Sequence, residues 1–105
     1  MIPIIKDALS KSAVWKNKKG TGERFCSCGS WKNHWMNFSN EPWPNECSVF
    51  GCTNKPTLGA HVFRTDNSKE MIVPMCAACN KKEDEFLLKN CAKCVSANKS
   101  ETCEK

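Results

Sequence analysis

The 105-residue chain has no long hydrophobic run. Its longest apolar stretches are Ile2 to Ile5, interrupted by Pro3, and Met71 to Ala78. Both fall far short of the roughly 20 residues that cross a bilayer, and neither reads as the core of a signal peptide. No membrane partner is therefore expected. Carbon-rich core formers are scarce as well. Hydrophobic residues make up 40% of the chain, but nine of them are cysteines, which leaves 33 residues to fill a core. A domain of this size buries only about 60–68% of its unfolded surface, so a staple is expected, either metal or disulfide. Neither a repeat nor a low-complexity tract is present.

Cysteine is what the chain has instead. Nine is an odd number for a purely disulfide-bonded chain. With no secretion signal in view, the count predicts a reducing, cytoplasmic compartment and metal-bound thiols. An extracellular, disulfide-bonded chain is the rival reading. Formal charge is +5 and unevenly spread. Residues 1–25 hold six basic and two acidic side chains, whereas residues 26–105 hold ten and nine. Since four thiolates on one zinc carry a net −2, a core with one such site is near neutral. The basic footprint of a nucleic-acid binder is thus confined to residues 1–24, read as a basic flexible arm with one short helix around Asp7 to Trp15. Residues 25–105 form the domain proper, with its core at 47–90.

Within that domain, Trp31, His34, Trp35 and Phe38 fall at i, i+3, i+4 and i+7. This spacing predicts a helix with Ser30 as its N-cap. Asn40 to Asn45, with two prolines around Trp43, is a loop. Cys47 and Cys52, with Gly51 between them, make a tight thiol-bearing turn. Leu58 to Phe63 alternates as a strand, with Leu58, Ala60 and Val62 on one face and Gly59, His61 and Phe63 on the other. Asp66, Asn67 and Ser68 supply turn chemistry, and Met71 to Pro74 is a returning strand. Cys76-Ala-Ala-Cys79-Asn80 follows, and Lys81 to Asn90 is a run of helix formers with Phe86 and Leu87 facing back toward Cys79. The tail from Cys91 to Cys103 reads as irregular and tethered by its cysteines.

Two close thiol pairs from separate segments supply four tetrahedral ligands at small entropic cost. Cys47-x4-Cys52 and Cys76-x2-Cys79 are such pairs, and the 23 residues between them suffice for a hairpin. A second cluster consists of Cys26, Cys28, Cys91 and Cys94, with His34 and Cys103 as alternate ligands. It predicts a second zinc tying the start of the domain to its end, for a total of one or two ions.

The order of knuckle, strand with Gly59-Ala60-His61-Val62, second strand and Cys76-x2-Cys79-Asn80 resembles the zinc-supported ββα-metal fold of HNH endonucleases, a treble-clef variant. The resemblance covers about residues 47–90 and implies a small α+β zinc-binding domain with a treble-clef core. It also implies that His61 matches the general base, and that Asn80 occupies a position usually held by a histidine that binds a catalytic divalent ion such as Mg²⁺. The set is incomplete. Ala60 stands where many members carry an acid, and Met71 stands about where the asparagine that orients the histidine belongs. The leading expectation is therefore a monomeric HNH-like binding module that contacts protein or nucleic acid. An active metal-dependent nuclease using His61 and Asn80 is the alternative, and a secreted disulfide-rich interaction protein is the third reading. Without a catalytic role, His61 is a strand histidine packed on a helix or bonded to the zinc knuckle.

Overall fold

Alternation at 58–64 builds the centre of the fold. The computed structural model describes residues 13–21, 27–66 and 69–98. Leu58–Arg64 forms strand β2 and pairs antiparallel with Glu70–Met75, strand β3, in a register that sets Ala60 opposite Val73 and His61 opposite Ile72. Cross-strand partners share a face, so this register sorts the side chains into two layers. On one side Ala60, Val62, Val73 and Met75 pack with Cys47, Val49, Cys76, Cys79 and Phe86. On the other side Ile72 packs with Trp35 and Val95. Fully burying aliphatic side chains such as Val62, Ile72 and Val73 stabilises a fold by about 1.5–3 kcal/mol each.

Helix α1, Trp31–Ser39, covers the second of these faces. It begins as its sequence predicts. The Ser30 hydroxyl accepts the Asn33 N–H at 3.0 Å, and Asn40 ends the helix in the left-handed region at φ 59°. Gly59 explains how closely α1 sits on β2. A Cβ added at Gly59 would lie 2.5 Å from the Trp31 carbonyl carbon and oxygen and 2.8 Å from the Lys32 nitrogen, all backbone atoms that cannot swing aside. The Trp35 indole N–H donates to the Lys93 carbonyl oxygen at 2.9 Å, and the Trp43 indole N–H donates to that of Pro56 at 3.0 Å. The tryptophans of this region are thus core and lid, with a polar end satisfied in each case.

Three parts of the chain depart from the sequence reading. Trp15–Asn17, taken for part of the arm and the end of a short helix, is strand β1, with Trp15 opposite Arg64 and Asn17 opposite Val62. Residues 1–12 and 22–26 lie outside the described residues, as do Asn67 and Ser68 of the expected turn. At the other end, Val95–Ser96 of the expected irregular tail is strand β4, paired with Ile72 and Met71. The four strands form one antiparallel sheet in the order β1-β2-β3-β4.

The third departure is the helix expected over Lys81 to Asn90. Helix α2 spans only Ala77–Asn80. Beyond it, the backbone bonds outward instead of to itself. Trp15 and Phe86 exchange both N–H···O bonds at 2.9 Å, Phe50 N–H reaches the Leu87 oxygen at 2.8 Å, and Lys89 N–H reaches that of Ser48 at 2.8 Å. Phe86 joins the buried cluster with Cys79 as expected, and Leu87, though exposed, borders the same surface cavity as Cys79. Tertiary pairing with β1 and the first knuckle overrides the helix propensity of the charged run, which is a weak prior by itself. The architecture is a small α+β fold, and among the described residues no helix is long and apolar enough to cross a membrane.

Candidate metal centre

Cys47 and Cys52 come from the loop before β2, and Cys76 and Cys79 come from the end of β3 and from α2. Backbone bonds shape the first loop. Cys47 N–H donates to the Asn54 oxygen at 2.8 Å and Cys52 N–H to that of Val49 at 3.0 Å, while Gly51 takes φ 84°, a conformation that favours glycine. In the second pair, Cys76 caps α2, its sulfur accepting the Cys79 N–H at 3.4 Å.

These two segments bring four sulfurs together. The Sγ atoms of Cys47, Cys52, Cys76 and Cys79 all lie within 4.8 Å of one another, and Cys52 and Cys76 are 3.8 Å apart. Sulfurs placed tetrahedrally about 2.3 Å from a central ion are about 3.8 Å from each other. The cluster therefore has the dimensions of a metal site and can hold a metal ion.

Its hydrogen bonds are arranged for negative charge on sulfur. Cys76 N–H points at the Cys47 sulfur at 3.4 Å, and the Asn54 side-chain amide points at the Cys76 sulfur at 3.7 Å. Burial pushes the Cys76 thiol up, but the Cys79 N–H, the Asn54 amide and the neighbouring Cys79 and Cys47 thiols outweigh it and bring Cys76 down to about 6. Burial raises Cys47 and Cys79, and for Cys79 the surrounding thiols add to the rise. Four thiolates this close repel one another, so without a cation the charge settles on the sulfur that the hydrogen-bond donors favour, that of Cys76. A divalent ion removes that constraint.

The other residues singled out in the sequence do not converge on this cluster. His61 is 5% exposed and lies on the α1 face of the sheet, its ring edge-on to Trp31 with centroids 4.4 Å apart. It packs on a helix and faces away from the knuckle. Asn80 is exposed at the end of α2, on the cysteine side. His34 is fully buried between Trp31 and Phe38, and its Nε2 bonds to the Ser96 carbonyl oxygen at 2.9 Å. A carbonyl only accepts, so Nε2 carries the proton and is not a metal-ligating lone pair.

Cys28 and Cys94 are half-buried and Cys91 is exposed. Among the described residues these three and His34 form no group of three or more potential ligands. Cys26 and Cys103 lie outside the described residues. Burial pushes the Cys94 thiol up to about 11, despite the opposing charge of Arg64.

Two asparagines support the cluster without having been singled out in the sequence. Asn54 reaches the Cys76 sulfur, and Asn17 Nδ2 donates to the carbonyl oxygens of Cys79 and Lys82, both at 2.9 Å. Asn54 follows Cys52 by two residues, a position where a loop asparagine signals turn chemistry. Nothing local marks Asn17, because its partners are more than 60 residues away. No protein-family model, curated protein or solved structure matches the chain.

Proposed function

We propose that the protein is a zinc-stabilised binding module of HNH-like, treble-clef type, and that it does not cleave nucleic acid. The observation that carries the reading is the cluster of Cys47, Cys52, Cys76 and Cys79, all cysteine and mostly buried, with every sulfur within 4.8 Å of the others. Four soft sulfur donors this close together favour zinc over the hard cations that prefer oxygen. A site closed by four protein ligands leaves no coordination position for a substrate, which favours a structural over a catalytic metal.

Support for the absence of catalysis comes from placement. His61 is buried against Trp31 on the α1 face, and Asn80 is exposed at the end of α2, next to Cys79. The one-turn α2 also differs from the longer helix of the nuclease motif. A protein or a nucleic acid remains the partner class, with the basic residues of the N-terminal segment as the contact expected for the second. The reading is tested by metal stoichiometry from native and denaturing mass spectrometry on the purified protein. One zinc per chain, lost on substituting Cys76 by serine, is the expected result. Isolation with the four thiols joined in disulfides and no metal overturns it.

A further inference from the structure

The four cluster cysteines are not equivalent. Cys47, Cys76 and Cys79 are buried, whereas Cys52 is half-buried. Cys52 and Cys79 line a surface cavity of about 410 Å³ whose rim carries Phe50, Gly51 and Lys82. The Cys52 sulfur lies 3.8 Å from that of Cys76. Cys76 is in turn the sulfur on which two donors converge, the Cys79 N–H and the Asn54 amide. Cys52, the more exposed of the two thiols on this cavity, thus lies beside a second sulfur on which hydrogen-bond donors converge.

We infer that Cys52 and Cys76 form a hydroperoxide-reactive pair within the cluster, whose oxidation to a disulfide dismantles the metal site. This builds on the metal-site reading above. In the first step the Cys52 thiolate attacks one peroxide oxygen. The O–O bond breaks, hydroxide leaves, and Cys52 becomes a sulfenic acid. In the second step the Cys76 thiolate attacks the Cys52 sulfur, the S–O bond breaks, a second hydroxide leaves and the S–S bond forms. The two thiolates supply the two electrons that reduce the peroxide, and both hydroxides take protons from water. Cys47 and Cys79 are then the only thiolates left to the ion, and half of its ligands are gone.

Local pairings are the competing outcome. Cys47 with Cys52, or Cys76 with Cys79, would join neighbours in sequence. Cys47 is fully buried, and although Cys79 borders the same cavity and is as buried as Cys76, the 3.8 Å approach of Cys52 to Cys76 and the donors that converge on the Cys76 sulfur favour the Cys52–Cys76 pair as first product.

The experiment uses the purified full chain, with its metal content measured beforehand. Hydrogen peroxide is added in small excess. Metal release is followed with a chromogenic chelator, and differential alkylation with peptide mass spectrometry maps each thiol. The expected result is a Cys52–Cys76 disulfide forming in step with release of one ion, and restoration by dithiothreitol and zinc. Cys52→His keeps a fourth ligand but removes the reacting thiol, and is expected to slow peroxide-driven release by about tenfold or more. Should that variant fail to hold metal, the wild-type map decides alone. Release of metal with Cys52 still alkylatable, or with Cys47–Cys52 and Cys76–Cys79 as the first products, overturns the pair and leaves the metal site standing. A protein isolated without metal overturns the metal reading, while the map still shows whether Cys52 and Cys76 pair.

Discussion

The side chain of Asn17 reaches from β1 to the carbonyl oxygen of Cys79 at 2.9 Å, and the same amide nitrogen also holds the carbonyl oxygen of Lys82 at 2.9 Å. A residue of the basic N-terminal segment is thereby fastened to the end of the second cysteine pair. Together with the pairing of Trp15 to Phe86, this makes β1 part of the frame around the cluster. Truncation after residue 12 leaves every one of these contacts in place, whereas truncation after residue 24 removes β1 and exposes the edge of β2. The shorter truncation is expected to melt near the wild type and the longer one well below it. Asn17→Ala is expected to cost about 1 kcal/mol, because its buried Oδ1 has no partner among the described residues and its loss offsets part of the penalty. Thermal denaturation followed by near-UV circular dichroism reads all three. Equal midpoints for wild type and the longer truncation would show that β1 is dispensable.

Removing the metal should remove the fold. Structural zinc binding is largely folding free energy, on the order of 10 kcal/mol, and the core on the cysteine side is assembled around Cys47, Cys76 and Cys79. Titration with a strong chelator is expected to abolish tertiary signal in the aromatic region and to make the cluster thiols titratable without any reductant. Cys76→Ser and Cys79→Ser should fail to fold stably, while Cys91→Ser, at an exposed position outside the cluster, should behave as wild type. Retention of the near-UV signal in the chelated protein would contradict this account.

Metal binding should release protons in a way the cluster dictates. In the metal-free protein Cys76, brought down to about 6, is already a thiolate at pH 7, whereas Cys47 and Cys79 are raised and hold their protons. Each of the latter two must therefore surrender a proton to the ion, and affinity falls as pH falls. For the metal-free fold the sign on Cys76 is the ordinary one for a depressed acid. Its contribution is complete above the unfolded thiol value of 9.0 and is lost as pH drops through about 6. Calorimetry of zinc binding at pH 7 in buffers of different ionisation enthalpy is expected to give a release of no fewer than two protons per ion. Release of fewer than one would show that the cluster is already ionised.

Helix α1, strands β2 and β3 and the four cluster cysteines were legible in the sequence because each is marked by local spacing. In the Trp31, His34, Trp35 and Phe38 periodicity, the Ser30 cap, the alternation around His61 and each of the two thiol pairs, the marking residues lie within a few positions of each other. What was not legible depends on partners far along the chain. Strands β1 and β4 are three and two residues long and sit at the edges of the sheet. Their existence is decided by what β2 and β3 offer them, not by their own pattern. Lys81 to Asn90 is rich in helix formers and becomes extended because Phe86 meets Trp15 and Leu88 meets Val49. The alternation assigned His61 to a face correctly, but only the docking of α1 through Gly59 shows that this face is covered.

That docking gives a prediction about Gly59. The methyl group of alanine at this position collides with the Trp31 and Lys32 backbone, so α1 must lift from the sheet. Overpacking in a core typically costs about 1–3 kcal/mol, and a collision with backbone belongs at the upper end. Alanine at Gly20, where a Cβ meets nothing within 4 Å, is the control for space, though its φ of 75° carries its own strain. Chemical denaturation should place Gly59→Ala well below wild type, and the tryptophan fluorescence of Trp31 and Trp35 should shift toward the solvent-exposed value. A Gly59→Ala protein of wild-type stability would mean that α1 does not rest on β2.

The last prediction concerns cleavage. A general base must come within about 2.6–3.2 Å of the proton it removes, directly or through one water. His61 is buried against the Trp31 ring on the α1 face, and the residue that the nuclease resemblance would give to the catalytic ion, Asn80, is exposed next to the cluster ligand Cys79. Even a well-placed base contributes only about 10²–10⁴-fold, and phosphodiester cleavage needs a bound ion to carry much of the remaining barrier. The protein is therefore expected not to nick supercoiled plasmid with magnesium, manganese or nickel at any rate that depends on these residues. Wild type, His61→Ala and Asn80→Ala are compared at matched zinc content, with circular dichroism confirming that the His61 variant retains its fold despite the space opened beneath Trp31. Equal, weak nicking by all three identifies a contaminant and upholds the binding-module reading. Metal-dependent nicking by the wild type that disappears in folded His61→Ala requires α1 to move away from β2 in solution, and makes the protein a nuclease.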